Sequence, residues 1–253
     1  LNLVADGKLL QTENLPLQVL PEKKLNILFI EQYPTFEIRY LKNYLGEKGH
    51  SVTLRYQVSK NVFRYEYANR ERQQIPKLNN SILNELDLLI TTPEAVLELT
   101  QNEFQILKTS MNDGLGVVLL LPQPVKNLEK ILPYELLPVN VDTVTISSLM
   151  WKGKLTFPAA PLRMNPAPEV SGLLSDSKNK ILSGYFYNGA GKTGFQFLNE
   201  TYRLLLEGKS NEYASIWSPL LEGTSRKQKE NFKIKITSPL PRFADEPIGS
   251  SAK

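Results

Sequence analysis

Apolar positions in the first fifth of the chain predict a strand, a tight turn and a helix. Residues 25–30, LNILFI, form a nearly continuous apolar run, which is typical of a strand buried on both faces. Pro34 ends this strand because it lacks an amide donor, and the hydroxyl of Thr35 can cap a helix. Gly49 is a favoured helix end. The apolar residues at helical spacing between them are Phe36, Tyr40, Leu41, Tyr44 and Leu45.

The same alternation of strands and helices continues to residue 121. Residues 51–59 alternate apolar and polar side chains, which predicts a strand nearer the sheet edge. Residues 86–92 and 116–121 predict two further buried strands, and the capping-box pair Thr100 and Glu103 predicts a helix between them. This order predicts an α/β, flavodoxin-like three-layer sandwich with a mostly parallel central sheet and helices on both faces.

Other segments are less regular. Residues 60–80 are polar and aromatic, and we predict a long loop there. Prolines interrupt residues 122–180, where we expect an irregular crossing with short strands. Residues 181–198 contain two strand-like runs around a glycine-rich turn, which predicts a hairpin. Asn199 and Ser210 are placed to cap two further helices.

The pattern divides the chain into three segments. Residues 1–24 contain the hairpin signal Asp6-Gly7 and predict the end of a preceding β-domain or a β-hairpin extension. Residues 25–225 form the predicted α/β domain, and residues 226–253 are expected to be a C-terminal strand and linker. Because the first residue is leucine, we expect the chain to be a fragment of a longer protein. No apolar run reaches the length of a membrane span, and we predict no signal peptide within these residues.

Composition narrows the chemistry. The chain has 253 residues, 41% of them apolar, and no cysteine, so disulfides, thiolate catalysis and cysteine-ligated metals are excluded. A net charge of +4 is modest, and the basic residues are scattered. Nucleic-acid binding favours a basic face with interleaved aromatic residues, so we predict no nucleic-acid partner.

Two candidate motifs are better explained without a cofactor. The sequence Gly189-Ala-Gly191-Lys192-Thr193 is similar to a phosphate-binding loop, but Phe186 stands where the pattern requires glycine. More strand follows the turn, whereas a phosphate loop leads into a helix, so we predict a hairpin turn. His50 is the one histidine and cannot build a histidine-rich metal site. We therefore predict no cofactor and no metal site.

The candidate site lies where strands end, since ligands of open α/β sheets bind at the carboxyl ends of strands. If the first two strands are parallel, residues 31–39 and 61–70 meet at one edge. Such mixed charge and aromatic surface can bind a small polar ligand or a protein partner, or it can be an internal ion-pair network that holds the loop in place. The candidate residues are Glu31, Tyr33, Glu37, Arg39, Arg64, Tyr65, Tyr67 and Arg70.

Several short motifs in order resemble the class I glutamine-amidotransferase-like domains of membrane-associated bacterial proteins. In those proteins the domain stands beside β-domains and transmembrane helices. The similarity spans about residues 25–225. The motifs that carry it are Phe36-Glu37-x-Arg39-Tyr40-Leu41, Leu86-Asp-Leu-Leu-Ile-Thr-Thr-Pro, Leu99-Thr-x-x-Glu103-Phe104 with Asp113-Gly114, Gly189-x-Gly191-Lys192, Asn199-x-Thr201-Tyr202-Arg203 and Tyr213-x-x-x-Trp217.

The chain departs from this family at its chemistry. Active members carry a cysteine at the turn after the third of these buried strands and a histidine base. Here that turn reads Leu121-Pro122-Gln123, and His50 lies in another part of the chain. The resemblance therefore implies a non-catalytic, extracytoplasmic or periplasmic module of a membrane-anchored protein, with membrane contact only through segments outside this chain. The alternative is a hydrolase of another type that uses carboxylates at the carboxyl edge of the sheet.

Overall fold

The computed structural model describes residues 2–5, 8–12, 23–59, 62–125, 131–147, 154–227, 234–236 and 250–252. The helices within these ranges are α1 (Phe36–Glu47), α2 (Asn80–Glu85), α3 (Pro93–Leu97), α4 (Gln101–Asn112), α5 (Arg203–Leu206) and α6 (Ser210–Thr224). The strands are β1 (Asn2–Ala5), β2 (Lys8–Thr12), β3 (Asn26–Glu31), β4 (Ser51–Ser59), β5 (Val62–Ala68), β6 (Leu88–Thr91), β7 (Gly116–Leu120), β8 (Leu136–Pro138), β9 (Thr143–Ser147), β10 (Lys154–Pro158), β11 (Leu162–Met164), β12 (Val170–Ser175), β13 (Ile181–Asn188), β14 (Gly191–Gln196), β15 (Ile234–Ile236) and β16 (Ser250–Ala252).

One ten-stranded sheet organises the molecule. Its strands lie in the order β5-β4-β3-β6-β7-β14-β13-β11-β8, and β12 pairs with β13 outside this path. The five central strands from β4 to β14 are parallel to their neighbours, while β5 and the strands beyond β14 pair antiparallel. The predicted mixed α/β fold with a large, mostly parallel central sheet is confirmed.

Helices cover both faces of this sheet. Alternate residues of each central strand point to opposite faces, as in β3, where Phe29 packs in one core and Leu28 in the other. The first core includes the buried sides of α1 and α6, and the second includes those of α2, α3 and α4. The result is three layers, helix–sheet–helix, and the apolar runs of β3, β6 and β7 reflect burial on both faces.

The predicted helix signals act as expected at several termini. Thr35 Oγ1 accepts a hydrogen bond from Ile38 N at 3.2 Å and caps α1. Gly49, which follows α1, has a φ of 85°, a conformation that glycine adopts without strain. Thr100 and Glu103 form the predicted reciprocal capping box at the start of α4. Local sequence therefore sets where these helices begin and end.

The prediction of a loop over residues 60–80 is wrong for its first half. Val62–Ala68 is β5, the edge strand of the sheet, and it pairs antiparallel with β4. Its sequence alternates as a half-buried edge strand should, with aromatic residues on one face and the charged residues Arg64 and Glu66 on the other. As a result β4 lies one strand in from the edge.

Two predicted helix caps also require correction. Asn199 does not cap a helix, because α5 begins only at Arg203; instead the Asn199 side chain donates to the Pro122 carbonyl at 3.0 Å. Ser210 is the first helical residue of α6, and Lys209 occupies the N-cap position. Asn199 thereby links the loop after β14 to the loop after β7, a longer-range role than capping.

The terminal segments contain two small hairpins. β1 and β2 pair antiparallel with Ala5 opposite Lys8, as the hairpin signal predicts, although Asp6 and Gly7 lie outside the described residues. β15 and β16 also pair antiparallel. The proposed segment boundaries near residues 24 and 226 stay predictions. Across the described ranges, no helix combines the length and apolar character that crossing a membrane requires.

Candidate functional site

The carboxyl ends of the parallel strands bring only part of the predicted site together. Glu31 lies beside Tyr56 on β4, and Tyr56 lies beside Arg64 on β5, so these three residues share one end of the sheet. Arg70 is at the opposite end, where it donates to Asn26 Oδ1 at 3.0 Å. The hairpin is the cause, because β5 runs antiparallel and carries the chain back toward the amino ends of β3 and β4.

The aromatic candidates on β5 pack the following segment against the sheet. The Tyr65 and Tyr67 rings are stacked with centroids 6.3 Å apart, and Tyr67 Oη donates to the Gln73 carbonyl at 2.9 Å. This arrangement agrees with a packing role. Arg39 and Arg64 are exposed, as is Tyr33, so neither arginine is buried against Glu31 or Glu37. The predicted internal ion-pair network therefore does not include these two arginines.

A cavity of about 510 Å³ opens beside Glu31, and we call it the Glu31 cavity. It lies at the carboxyl ends of β3 and β4 and against the segment that follows β6. In the sheet, β3 lies between β4 and β6. The chain adds β4 on one side of β3 and later adds β6 on the other side, so the direction of strand addition reverses at β3. Such switch points are where α/β sheets bind ligands. The lining residues used below are Glu31, Arg55, Phe63 and Glu103.

Glu31 is buried and only half satisfied. Its Oε2 accepts a hydrogen bond from Thr92 Oγ1 at 3.1 Å, whereas Oε1 has no hydrogen-bond partner among the described residues. Burial raises the pKa of the Glu31 carboxyl well above its usual value, the Thr92 hydrogen bond opposes the rise, and the nearby Glu94 carboxylate adds to it. A neutral Glu31 whose Oε2 accepts from Thr92 can carry its proton on Oε1 and donate it to a ligand.

Arg55 contributes a buried cation to the same cavity. Its Nη1 donates to the Ile75 carbonyl at 3.0 Å, and its guanidinium lies 4.6 Å from the centre of the Phe63 ring. Its Nε has no hydrogen-bond partner in the described part of the chain. Burial lowers the pKa of Arg55, while the Glu103 carboxylate and Tyr65 oppose that shift. Two of the side chains that line the cavity, Glu31 and Arg55, thus each hold one polar atom without a described hydrogen-bond partner.

Glu37 occupies a second, smaller cavity of about 320 Å³, which we call the Glu37 cavity. Both of its carboxylate oxygens accept hydrogen bonds from Thr201, one from the backbone N at 2.9 Å and one from Oγ1. Thr201 Oγ1 in turn accepts from Trp217 Nε1 at 2.9 Å. Burial raises the pKa of Glu37 to about 7, although the Thr201 hydrogen bonds oppose the rise. Much of the remaining lining is apolar: Phe36, Ile38, Leu120, Leu121, Leu198 and Trp217.

Sequence reasoning identified the two glutamates but missed their partners. Arg55 has a local signal, since it is a charged residue inside a strand whose neighbours are apolar, and a cation in such a position requires a partner. Thr201 has no comparable signal, because it meets Glu37 only after 164 residues of chain have folded.

The glycine-rich turn after β13 is the predicted hairpin. Lys192 is buried, donates to the Gly223 carbonyl, and its ammonium lies 4.7 Å from the centre of the Tyr185 ring. A side chain at Gly191 would place a Cβ only 2.3 Å from the Met111 carbonyl oxygen. The glycine is therefore required by close packing on α4, and Lys192 is held by the protein itself.

The turn at Leu121 and the one histidine, His50, lie at opposite ends of the sheet. The turn at Leu121 follows the carboxyl end of β7, whereas His50 precedes the amino end of β4 and accepts from Leu25 N at 3.1 Å. No group of three or more histidine, cysteine, aspartate or glutamate side chains in the described ranges could hold a metal ion.

Comparisons with known proteins give a likeness of fold. No family model matches the chain, and no curated protein sequence matches it. Among solved structures, a cytoplasmic protein from Salmonella typhimurium aligns with a TM-score of 0.51 and 13% identity, covering 80% of this chain and 100% of that one. The likeness extends to the fold alone.

Two further solved structures align with lower scores. An exo-β-1,4-mannosidase from Opitutaceae bacterium strain TAV5 gives a TM-score of 0.48 and 11% identity over 81% of this chain and 37% of the enzyme. A putative GMP synthase component from Thermoplasma acidophilum gives a TM-score of 0.44 and 10% identity over 80% of this chain and 100% of that one.

Proposed function

We propose that this chain is a non-catalytic, amidotransferase-like module that binds a small polar ligand in the Glu31 cavity. One observation carries the proposal: the buried side chains of Glu31 and Arg55 line the cavity, and one polar atom of each, Glu31 Oε1 and Arg55 Nε, has no hydrogen-bond partner among the described residues. Buried polar groups are almost always hydrogen-bonded, so unpaired atoms on two side chains that line the same cavity favour a bound ligand there. The ligand should therefore offer oxygen acceptors to these two groups.

The position of the cavity supports the same proposal. The parallel strands β4-β3-β6-β7-β14 follow the order 2-1-3-4-5 in chain sequence, which is the flavodoxin-like order. We therefore propose the flavodoxin-like subclass for this sheet, with its ligand site beside the first strand. A volume of about 510 Å³ falls within the range of small-molecule sites.

We further propose that the module belongs to the extracytoplasmic side of a membrane-anchored bacterial protein. This proposal rests on the family resemblance of the sequence. The missing cysteine and the distance of His50 from the turn at Leu121 support an inactive amidotransferase scaffold. Purified protein should release no ammonia from glutamine above a control without protein, and release that depends on a defined residue would refute this part.

Titration with four simple probes tests the ligand site. Glucose, glutamine, acetate and inorganic phosphate offer oxygen acceptors with different net charge, and binding is followed by NMR shifts of the protein. We expect at least one probe to bind and its affinity to fall on the order of tenfold in Glu31→Leu, because one donor is lost. The matched control is Glu47→Leu on the exposed end of α1. Absence of binding by all four, or equal loss in both variants, would contradict the proposal.

A second candidate function is a hydrolase that uses Glu37. The specific observation is the pKa of about 7, which suits a general acid or base at neutral pH. The test is turnover of p-nitrophenyl acetate by the purified protein and by Glu37→Ala. Turnover above the background rate that follows a group titrating near pH 7, and that is lost in the variant, would favour this candidate over the binding module.

A further inference from the structure

Strand β5 leaves one edge of the main sheet uncovered. It pairs with β4 on one side, and no other strand or backbone hydrogen bond meets its outer side in the described part of the chain. The strand is seven residues long and contains no proline. Its first residue, Val62, is 51% exposed. An unpaired edge of this length is a template for another strand, unless its side chains forbid the pairing.

The two residues that flank Tyr65, the middle residue of β5, carry opposite charges. Glu66 lies on the α1 side of the sheet, where it forms an ion pair with Lys42 of that helix. Arg64 lies on the same face, since side chains two residues apart in a strand point the same way. Arg64 and Glu66 therefore flank Tyr65 at equal distances and with opposite charge.

We propose that a second copy of this chain pairs with β5 through β5 itself, in antiparallel register, about a two-fold axis at Tyr65. In this register Arg64 of each copy faces Glu66 of the other, so both charged pairs are attractive. Phe63 faces Tyr67, and Val62 faces Ala68, which places aromatic and apolar residues opposite one another on the strand. A two-fold interface must be complementary to itself, and the order Arg-Tyr-Glu meets this requirement.

The charge order also separates this arrangement from the alternatives. Opposite charges directly across an antiparallel pair are stabilising, and like charges are destabilising. A shift of the register by two residues places Arg64 opposite Arg64 or Glu66 opposite Glu66, which brings like charges together. The charge order thus favours this register over its two neighbours, and the two sheets would join into a single continuous sheet.

Charge reversal tests the register in solution. Light scattering after size exclusion should show a dimer for the parent protein at about 100 µM, the concentration that we choose for the assay. Arg64→Glu alone and Glu66→Arg alone should each raise the dissociation constant at least tenfold. An equimolar mixture of the two variants should recover the dimer, because the two glutamates of one copy then face the two arginines of the other. Matched controls are Glu71→Arg and Arg72→Glu, exposed residues beyond the strand.

A single cysteine tests the position of the axis. Residues directly opposite in an antiparallel pair have Cα atoms about 4.5–5.5 Å apart, a separation that a disulfide can bridge. The chain has no cysteine, so Tyr65→Cys introduces a single one. Under mild oxidation it should form a disulfide with the same cysteine of the second copy, and Glu71→Cys should not. This readout does not depend on the folding of Glu66→Arg, which also loses its contact with Lys42. A monomeric parent, a dimer insensitive to both reversals, or equal crosslinking at both cysteines would overturn the proposal.

Discussion

Two glutamates near the same edge of the sheet, the buried Glu31 and the half-buried Glu37, differ in how completely they are hydrogen-bonded. Glu37 has both carboxylate oxygens bonded to Thr201, and Thr201 is bonded in turn to Trp217. Glu31 has one oxygen bonded to Thr92 and the other without a described partner. Burial raises the pKa of both carboxyls. Burial alone therefore does not distinguish a structural carboxyl from a binding one, whereas hydrogen-bond completeness does.

This difference gives each glutamate a distinct physical role. The Glu37 network joins α1, the loop before α5, and α6, so its loss leaves several buried groups unpaired at once. Glu31 lines a cavity, and its unpaired oxygen lowers the stability of the fold. A ligand bound in the cavity would recover this loss by supplying a hydrogen-bond partner. Substitutions at each network should therefore differ in size and in sign.

The largest effect is expected at Thr201. Thr201→Val removes the hydroxyl but keeps the shape, so Trp217 Nε1 and one Glu37 oxygen lose their partners. Two unpaired buried groups should lower the free energy of unfolding by about 4 kcal/mol. Urea denaturation measures the change. Thr145→Val, on an exposed face of β9, is the matched control and should change stability by less than about 0.5 kcal/mol. An equally small effect at Thr201 would remove the distinction between the two glutamates.

The pH dependence of stability should be the next largest effect. The pKa of Glu37 is raised to about 7 from an ordinary value of 4.5, so the folded state holds this proton more tightly than the unfolded state does. Stability is therefore full below about pH 4.5 and falls as pH rises to about 7, by about 3 kcal/mol. Chemical denaturation at several pH values measures the slope. Glu37→Ala should flatten it, leaving a residual slope of the same sign from Glu31; an unchanged slope would contradict the assignment.

A smaller effect of opposite sign is expected at Glu31. Glu31→Leu removes a buried carboxyl with an unpaired oxygen, and Thr92, which is partly exposed, can turn to water. We expect the free energy of unfolding to rise by about 1 kcal/mol while probe binding weakens. Thermal unfolding and the NMR titration measure the two quantities on the same sample. A marked loss of stability would show that the fold depends on Glu31, as we expect it to depend on the Glu37 network.

The smallest effect is expected at the glycine turn. Lys192→Ala should leave titration with ATP and magnesium flat, as in the parent protein, because Lys192 is held by Gly223 and two tyrosine rings. Calorimetry measures this directly. Tight binding by the parent that disappears in the variant would mean that the turn binds phosphate after all.

Local sequence predicts this fold where the chain is regular and buried. The apolar run of β3, the cap at Thr35 and the capping box at Thr100 each contain their own signal within a few residues. β5 also carries a local signal, since aromatic and charged residues alternate from Phe63 to Tyr67, but the polar residues around it led to the prediction of a loop. Among the short antiparallel strands of residues 122–180, β9 and β10 pair with each other as neighbours in the sequence. β11 instead pairs with β8 and β13, which are not its neighbours in the sequence, and this pairing has no local pattern.

The candidate site was predictable only as far as topology places strand ends together. Glu31 was found because it ends the first buried strand. Arg70 was placed at the wrong end of the sheet because the hairpin of β4 and β5 was not predicted. β5 carries the chain back along β4, so the residues after it lie at the amino ends of the parallel strands. Thr201 could not be assigned a role, since a hydrogen bond to a distant carboxyl leaves no periodic trace in the sequence. Arg55 had a local signal, a cation between apolar residues of a strand, that the prediction did not use.

The junction between β7 and β14 has a consequence for synthesis on the ribosome. Gly116–Leu120 is buried along its whole length and must pair with Gly191–Gln196, which emerges much later. Until β14 is synthesised, one edge of the apolar strand β7 lacks its neighbouring strand. Strands that pair across a long stretch of sequence form slowly, and the folding intermediates that lack this pairing are prone to aggregate. Fragments that stop before residue 191 should therefore aggregate, and this chain should depend on chaperones more than its size suggests.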